Sequence, residues 1–400
     1  MTTTITNLGN EVIIGLEGRL DTAAAAAVSE AVFGQLADLQ TDRLTLNASK
    51  LEYISSSGLR ILLSLSKRYR GLRIVDVLPQ VYDVLETTSF TKIMTVERAL
   101  RRLRVEGCEV VGIGGVGTVY RLDEDTIIKV FREGATLDEV RREITMAKEA
   151  FVLGVPTAIS FDIVKVEAGA QERFGLVYEL LRAETLSAAV KRNPDRLEHY
   201  AMRYADLLRL MHGIAVPAGD NVPSAIQRER EQVMHIRRYF PQECIDRLLG
   251  ILDCIPEGYR LLHGDLQTKN VMVQDEELMI IDMGEMGYGH PLLDMGHVYS
   301  SMVSLVGDYD RIIGMPRELG LRLWDIAIDR YLAGLPADVV AQRKAQIEVA
   351  SCVRNFSWLS LSDSFPEDVV RECQALFNER ITNRYDYIMN VCKGFRDWRV

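Results

Sequence analysis

The sequence predicts a two-domain chain, an α/β domain followed by a larger α+β domain. Three observations predict it. The chain has 400 residues, more than one ordinary core needs. Strand-like and helix-like patterns alternate through residues 11–96, which implies a sheet with helices packed on it. From residue 108 a strand–turn–strand pattern leads into a long, largely helical remainder. The composition, 48% hydrophobic and 26% charged, excludes disordered, collagen-like and disulfide-scaffold classes. A formal charge of -10, from 47 Lys plus Arg against 57 Asp plus Glu, supplies no global positive field for nucleic acid. No apolar run reaches the length of a membrane span, and the start, Met1-Thr-Thr-Thr-Ile-Thr, carries no basic leader pattern. The six cysteines are scattered, with no C-x-x-C pair. A cytoplasmic protein with reduced thiols is expected, with neither nucleic acid nor membrane as partner.

Residues 11–17 read as a strand that ends at Gly18, and the alanine-rich stretch 22–39 reads as a helix, because alanine loses least entropy there. A strand follows at 43–47, then a helix over 57–70 with Leu59, Leu62 and Leu63 on one face. Residues 72–77 form the next strand, Pro79 opens a short helix, and 92–96 closes the unit. Ser55-Ser56-Ser57-Gly58 falls between a strand and a helix. Serines there ordinarily cap the free N–H groups of the first turn. The other reading is a phosphorylation switch, since a phosphate at a helix N-terminus meets a favourable dipole.

Gly18-Arg-Leu-Asp21, Leu44-Thr-Leu-Asn-Ala-Ser49, Leu51-Glu-Tyr-Ile-Ser-Ser-Ser-Gly-Leu59 and Val81-Tyr-Asp-Val-Leu-Glu-Thr87 together resemble a STAS domain of the anti-sigma-factor-antagonist kind. The resemblance covers residues 1–97 and implies a regulatory or partner-binding α/β domain. It places the family's switch serine at Ser57, with Ser56 beside it. Ser55 and Asn47 stand where that family often carries acidic residues. Arg98, Arg101, Arg102 and Arg104 then read as the solvated face of a linker helix, with a linker over 98–106.

Gly112-Ile-Gly114-Gly115-Val-Gly117 follows a strand-like stretch, and closely spaced glycines let backbone N–H groups approach phosphate oxygens. Dinucleotide-binding folds share this spacing but need a helix next. Here the chain continues as strand 119–122, turn 123–125 and strand 126–131, so the glycines sit at a hairpin tip. Lys129 lies in that second strand among Ile127, Ile128, Val130 and Phe131; with Ile128 and Val130 facing inward it faces the glycine loop, as a phosphate contact would. A helix over 137–153 carries Glu143, which borders the apolar stripe and is expected to pair with Lys129, with Glu139, one turn away, as the competing choice. Residues 174–181 read as a buried strand.

The most informative stretch is Leu261-Leu-His263-Gly-Asp265-Leu-Gln-Thr-Lys-Asn270-Val-Met-Val273, a polar loop between apolar segments. Met279-Ile-Ile-Asp282-Met-Gly284 then sets a carboxylate at a strand end. One carboxylate to orient a hydroxyl, with an amide and a second carboxylate for Mg²⁺, is the set that phosphoryl transfer needs. The H-G-D-x-x-x-x-N and I-D-x-G strips, with Pro291-Leu-Leu-Asp294 and Leu208-Arg-Leu-Met-His212, resemble the aminoglycoside-phosphotransferase branch of the protein-kinase-like superfamily. The resemblance runs from residue 107 to the C-terminus and implies a two-lobed kinase-like fold, with an N-lobe and hinge at 107–182 and a C-lobe at 183–400. It implies Asp265 as catalytic base, Asn270 and Asp282 as Mg²⁺ ligands, and Lys129 on the ATP phosphates. Backbone groups of Glu179 to Leu181 would hold adenine, His263 would orient the loop and Asp294 would brace it. Gln267 replaces the lysine usual in Ser/Thr protein kinases, and no protein-kinase activation segment follows Asp282. Both favour a small-molecule hydroxyl as acceptor. Lys269 is expected in solvent, Phe356, Trp324 and Trp358 in packing, and Asp363, Glu367 and Asp368 as surface carboxylates. The alternative is a signalling switch: nucleotide binding, or phosphorylation of Ser57 or Ser56, coupled to a protein partner on the STAS-like surface.

Overall fold

Alternating apolar residues build the first sheet. Strand β2 (Glu11–Leu20) buries Val12, Ile14 and Leu16 on one side, and β3 (Arg43–Ile54) buries Leu44, Leu46 and Ala48 in the same period of two. The computed structural model describes residues 1–7, 11–37, 43–69, 71–168, 171–216, 221–362 and 364–398. They form two units, Met1–Arg104 and Val105–Val400.

In the first unit β1 (Thr2–Asn7) pairs antiparallel with β2, while β2, β3, β4 (Arg73–Val77) and β5 (Thr95–Arg98) run parallel in the order β1-β2-β3-β4-β5. β1 carries no sequence signal because its threonine-rich side chains are mostly exposed at a sheet edge. β2 continues past the expected end, through Gly18 at φ +97, because its register with β3 shifts there. Helices α1 (Thr22–Ala37), α2 (Ser56–Arg68) and α3 (Pro79–Thr87) complete a core in which Val28, Leu62, Leu65 and Leu85 meet the strand residues. Ser55 caps α2, its Oγ accepting from Gly58 N at 3.3 Å. Ser56 is exposed and Ser57 half-buried in the first turn.

The arginine cluster does not form a helix. Arg98 ends β5, pairs with Asp83 at 2.9 Å and stacks over Tyr82, and Arg101–Arg104 are extended as strand β6. A helix of two turns has too few internal bonds to repay its own nucleation.

The second unit opens with strands β7 (Val110–Ile113), β8 (Gly117–Arg121), β9 (Thr126–Phe131), β10 (Ser160–Ala168) and β11 (Gln171–Glu179), antiparallel and ordered β10-β11-β9-β8-β7. Helix α4 (Leu137–Val152) packs on this sheet, where Val140 and Ile144 meet Phe131 and Leu176. Two small sheets follow: β12 (Glu184–Thr185) with β14 (Val271–Gln274) and β15 (Glu277–Ile280), and β13 (Arg260–Leu262) with β16 (Gly287–Gly289). They lie among the helices α5 (Leu186–Arg192), α6 (Leu197–Gly213), α7 (Ala225–His235), α8 (Gln242–Cys254), α9 (Leu292–Tyr299), α10 (Tyr309–Ile313), α11 (Arg317–Tyr331), α12 (Ala337–Ser357), α13 (Glu367–Arg380) and α14 (Tyr385–Cys392). The six cysteines are free thiols, and among the described residues no helix is long and apolar enough to cross a membrane.

Gly58 is dictated by packing: a Cβ there would lie 2.8 Å from both Ile54 Cγ1 and Leu20 Cγ. Gly58→Ala is expected to destabilise the first unit by about 1–3 kcal/mol, read as an earlier denaturant transition while the second unit's transition stays in place.

Candidate active site

The glycine hairpin is closed by backbone. Gly114 N donates to Gly117 O at 2.9 Å, and a Cβ on Gly117 would meet Val130 O at 2.2 Å, so only glycine lets β8 approach β9 there. Gly112 and Gly115 complete the tip, with Gly115 open to solvent on its Cβ side. Ile128 and Val130 point into the core, and Lys129 between them points to the opposite face.

There Lys129 Nζ meets Glu143 Oε1 at 2.8 Å and Asp282 Oδ1 at 2.9 Å, with the lysine side chain only 12% exposed. Burial works against the ammonium, but the two carboxylates outweigh it and raise the Lys129 pKa. Burial pushes the Glu143 carboxyl up, and the pull of Lys129 does not fully offset it. Tyr178 Oη donates to the same Glu143 oxygen at 2.8 Å. Glu139 is engaged elsewhere, in a capping box with Thr136 at the start of α4.

The polar strip begins after β13. His263 Nδ1 accepts from Asp265 N at 3.1 Å, so its proton sits on Nε2, which donates to Ile281 O at 3.1 Å. One imidazole therefore ties the Asp265 loop to the strand end that carries Asp282. Asn270 Nδ2 donates to Asp265 O at 2.8 Å and Asp265 Oδ2 at 3.1 Å; both partners are acceptors, which fixes the amide's orientation. The backbone bond from Ile281 N to Asn270 O, 2.9 Å, sets Asn270 and Asp282 side by side where β14 and β15 open. Asp282 adopts the left-handed backbone, φ +63 and ψ +61, rare outside glycine. Asn270 Oδ1 and Asp282 Oδ2 make no protein hydrogen bond among the described residues. An amide and a carboxylate oxygen suit a hard divalent cation that takes its remaining ligands from phosphate and water. Among the described residues no group of three or more His, Cys, Asp or Glu side chains is placed to hold a metal ion.

Buried charges hold the strip in place. Asp294, 1% exposed, accepts from His263 N at 2.8 Å and Gly264 N at 2.7 Å, and His212 Nε2 lies 3.3 Å away. Burial raises its pKa, but His212, His263 and His297 drive it well below the carboxylate range. Gly264 has φ +82, and a Cβ there would strike Glu285 O at 2.4 Å. Its carbonyl accepts from His297 Nδ1, while His297 Nε2 lies 3.0 Å from Glu229 Oε1. Burial pushes Glu229 up, but His297, Arg354 and Arg228 bring it down to about 2.

Lys269 is half-exposed, and its Nζ donates to Arg311 O at 2.7 Å. At the hinge, Glu179 N donates to Ile159 O and Leu180 N to Asp125 O, leaving the Leu181 N–H without a backbone partner among the described residues. Two neighbours of Asp265 were not singled out: Gln267 Nε2 donates to Oδ2 at 3.1 Å, and Arg354, on α12, lies 3.5 Å from Oδ1. Gln267 stands two places from Asp265 and was legible as a partner; Arg354 is 89 positions away and had no signal. Trp324 is buried, while Phe356, buried, and Trp358, half-buried, both line a cavity. Glu367 and Asp368 are exposed; Asp363 lies outside the described residues.

A family model described as "Phosphotransferase enzyme family" matches residues 108–322, and a STAS domain model matches residues 2–103. Among curated proteins no sequence matches. Solved structures similar to this chain include the aminoglycoside phosphotransferase APH(2'')-Ib bound to ADP, at 13% identity and TM-score 0.45, covering 75% of this chain and 96% of that one. A choline/ethanolamine kinase family protein from Mesorhizobium loti matches at 14% identity and TM-score 0.46, over 72% and 92% of the two chains. Ethanolamine kinase from Plasmodium vivax matches at 13% and 0.43, over 68% and 84%.

Glu229 makes a pH prediction with a definite sign. Its folded pKa, about 2, lies below the ordinary 4.5, so the stability it contributes is present above pH 4.5 and is lost as pH falls towards 2. Urea midpoints measured across this window should fall less steeply in Glu229→Gln than in the wild type.

Proposed function

The chain belongs to the phosphotransferase enzyme family and carries a STAS domain, and on that premise we propose that it moves the γ-phosphate of ATP to a hydroxyl of a small molecule. The observation that carries this reading is the bonded convergence of Lys129, Asp282, Asn270 and Asp265, drawn from two sheets and a loop. In this reading residues 107–182 hold the nucleotide and residues 183–400 hold the acceptor. Backbone N–H groups of Gly112, Gly114, Gly115 and Gly117 cover the phosphates, and Lys129, steadied by Glu143, contacts them. The Leu181 N–H, beside Glu179, is the hinge donor to adenine.

Asn270 and Asp282 are the residues that would hold Mg²⁺, which when bound offsets the charge of the phosphates. Asp265 orients the acceptor hydroxyl and takes its proton as the alcohol oxygen bonds to the γ-phosphorus and the bond to the ADP oxygen breaks. Asn270 and Gln267 hold the Asp265 carboxylate at that task, with His263 and Asp294 holding its loop. The STAS domain is the regulatory or partner-binding module.

A second reading rests on Ser56 and Ser57, which stand in the first turn of α2 with Ser55 as the cap. Phosphate on either hydroxyl would add about two negative charges at that helix start and switch a protein partner. Phosphate mapping after incubation with ATP tests it, and an unmodified peptide spanning both serines rejects it.

For the leading reading, ADP release is expected to drop by about a hundredfold or more in Asp265→Asn. Lys129→Met should also slow it, with a raised KM for ATP. Wild-type rates in both variants would reject phosphotransfer by this site.

A further inference from the structure

A cavity of about 400 Å³ is lined at one end by Asp265 and Gln267. Its size is at the small end of the range for small-molecule sites. Three segments wall it: a π-helical turn over Ser300–Ser304 that continues α9, the end of α12, and one face of α13. Such widened turns recur at functional sites because they reshape one face of a helix. Here the carbonyls at the end of the turn are held by cations, Val303 O and Leu305 O by Arg317 at 2.8 Å each, and Ser304 O by Arg380 at 2.9 Å.

The cations around the cavity are already committed. Arg354 faces Asp265, Arg380 bonds the Ser304 carbonyl, and His297 lies against Glu229. Among the described lining residues Glu372 is the one carboxylate besides Asp265, and it is exposed. What remains is mostly apolar, with Leu305, Val306, Ile312, Trp358, Val369 and Leu376 among the lining side chains. A polyamine entering here would leave water for one exposed carboxylate besides Asp265, and a polyanion would have to displace the partners of both arginines.

We infer that the acceptor is an uncharged alcohol with an apolar body, its hydroxyl directed to Asp265 and its body packed against α12, α13 and the π-turn. The inference rests on the phosphotransfer reading for which end of the cavity reacts. The hydroxyls of Ser300 and Ser301 are bound to Asn355 Oδ1 and Val298 O, so their donors are already spent inside the wall. Recognition therefore depends on apolar contact, and each methylene that enters the cavity should count.

The test uses the full chain with ATP and Mg²⁺, measuring ADP release with the vicinal diols of butane, hexane and octane, and with kanamycin and choline as cationic alcohols. The expected kcat/KM rises about fourfold per added methylene, with neither cation as good as octanediol. A flat series, or a cation as the best acceptor, overturns the inference. Val306→Asp, at a position 44% exposed, should flatten the series, and Val306→Ile should preserve it; an unchanged slope in Val306→Asp counts against the cavity. Tryptophan fluorescence with the same diols separates the two layers, since Trp358 lines the cavity. Binding that tightens with chain length without ADP release supports the cavity and rejects phosphotransfer. Release without chain-length preference rejects the cavity alone.

Discussion

The strip that carries the candidate chemistry depends on one buried carboxylate. Asp294 accepts from two successive backbone N–H groups, those of His263 and Gly264, immediately before Asp265. A loop between β13 and β14 has no ladder of its own at these residues, and its N–H groups would be unpaired in the interior without that carboxylate. Burial alone would drive Asp294 neutral, and a protonated carboxyl would accept less well from both. The surrounding histidines keep it ionised.

The same logic of opposed terms recurs across the domain. Lys129 and Glu143 are both nearly buried, and each is tolerable only because the other is present, with Asp282 as a third charge that reaches the surface. Glu229 and His297 form a comparable pair behind the Asp265 loop. Removing one member of such a pair leaves the other charge uncompensated, which is more damaging than the pair is stabilising. The candidate site is therefore built into the charge balance of the core rather than added to its surface.

Much of the local architecture was legible. Alternation placed the parallel strands of the first unit, Pro79 marked the start of α3, and the strand–turn–strand after the glycines placed Lys129 on the face opposite Ile128 and Val130. One reading failed for a physical reason. The arginine cluster was read as a helix face, but Arg101–Arg104 are extended, since a helix that short gains too few internal bonds to repay its nucleation.

By itself the sequence determined the two-part organisation, the glycine hairpin and the polar strip, because periodicity, turn chemistry and short-range spacing are local properties of the chain. Tertiary structure alone decided which cation faces Asp265, and that the cavity beside it is mostly apolar with its cations engaged. Glu143, favoured because it borders the apolar stripe of α4, is the carboxylate that meets Lys129, while Glu139 caps the helix. Arg354 reaches Asp265 because α9 and α12 approach closely at Gly296, where a Cβ would lie 3.0 Å from the Ala350 carbonyl carbon. Contacts of that kind depend on the sum of all packing in the domain, which no window of sequence contains.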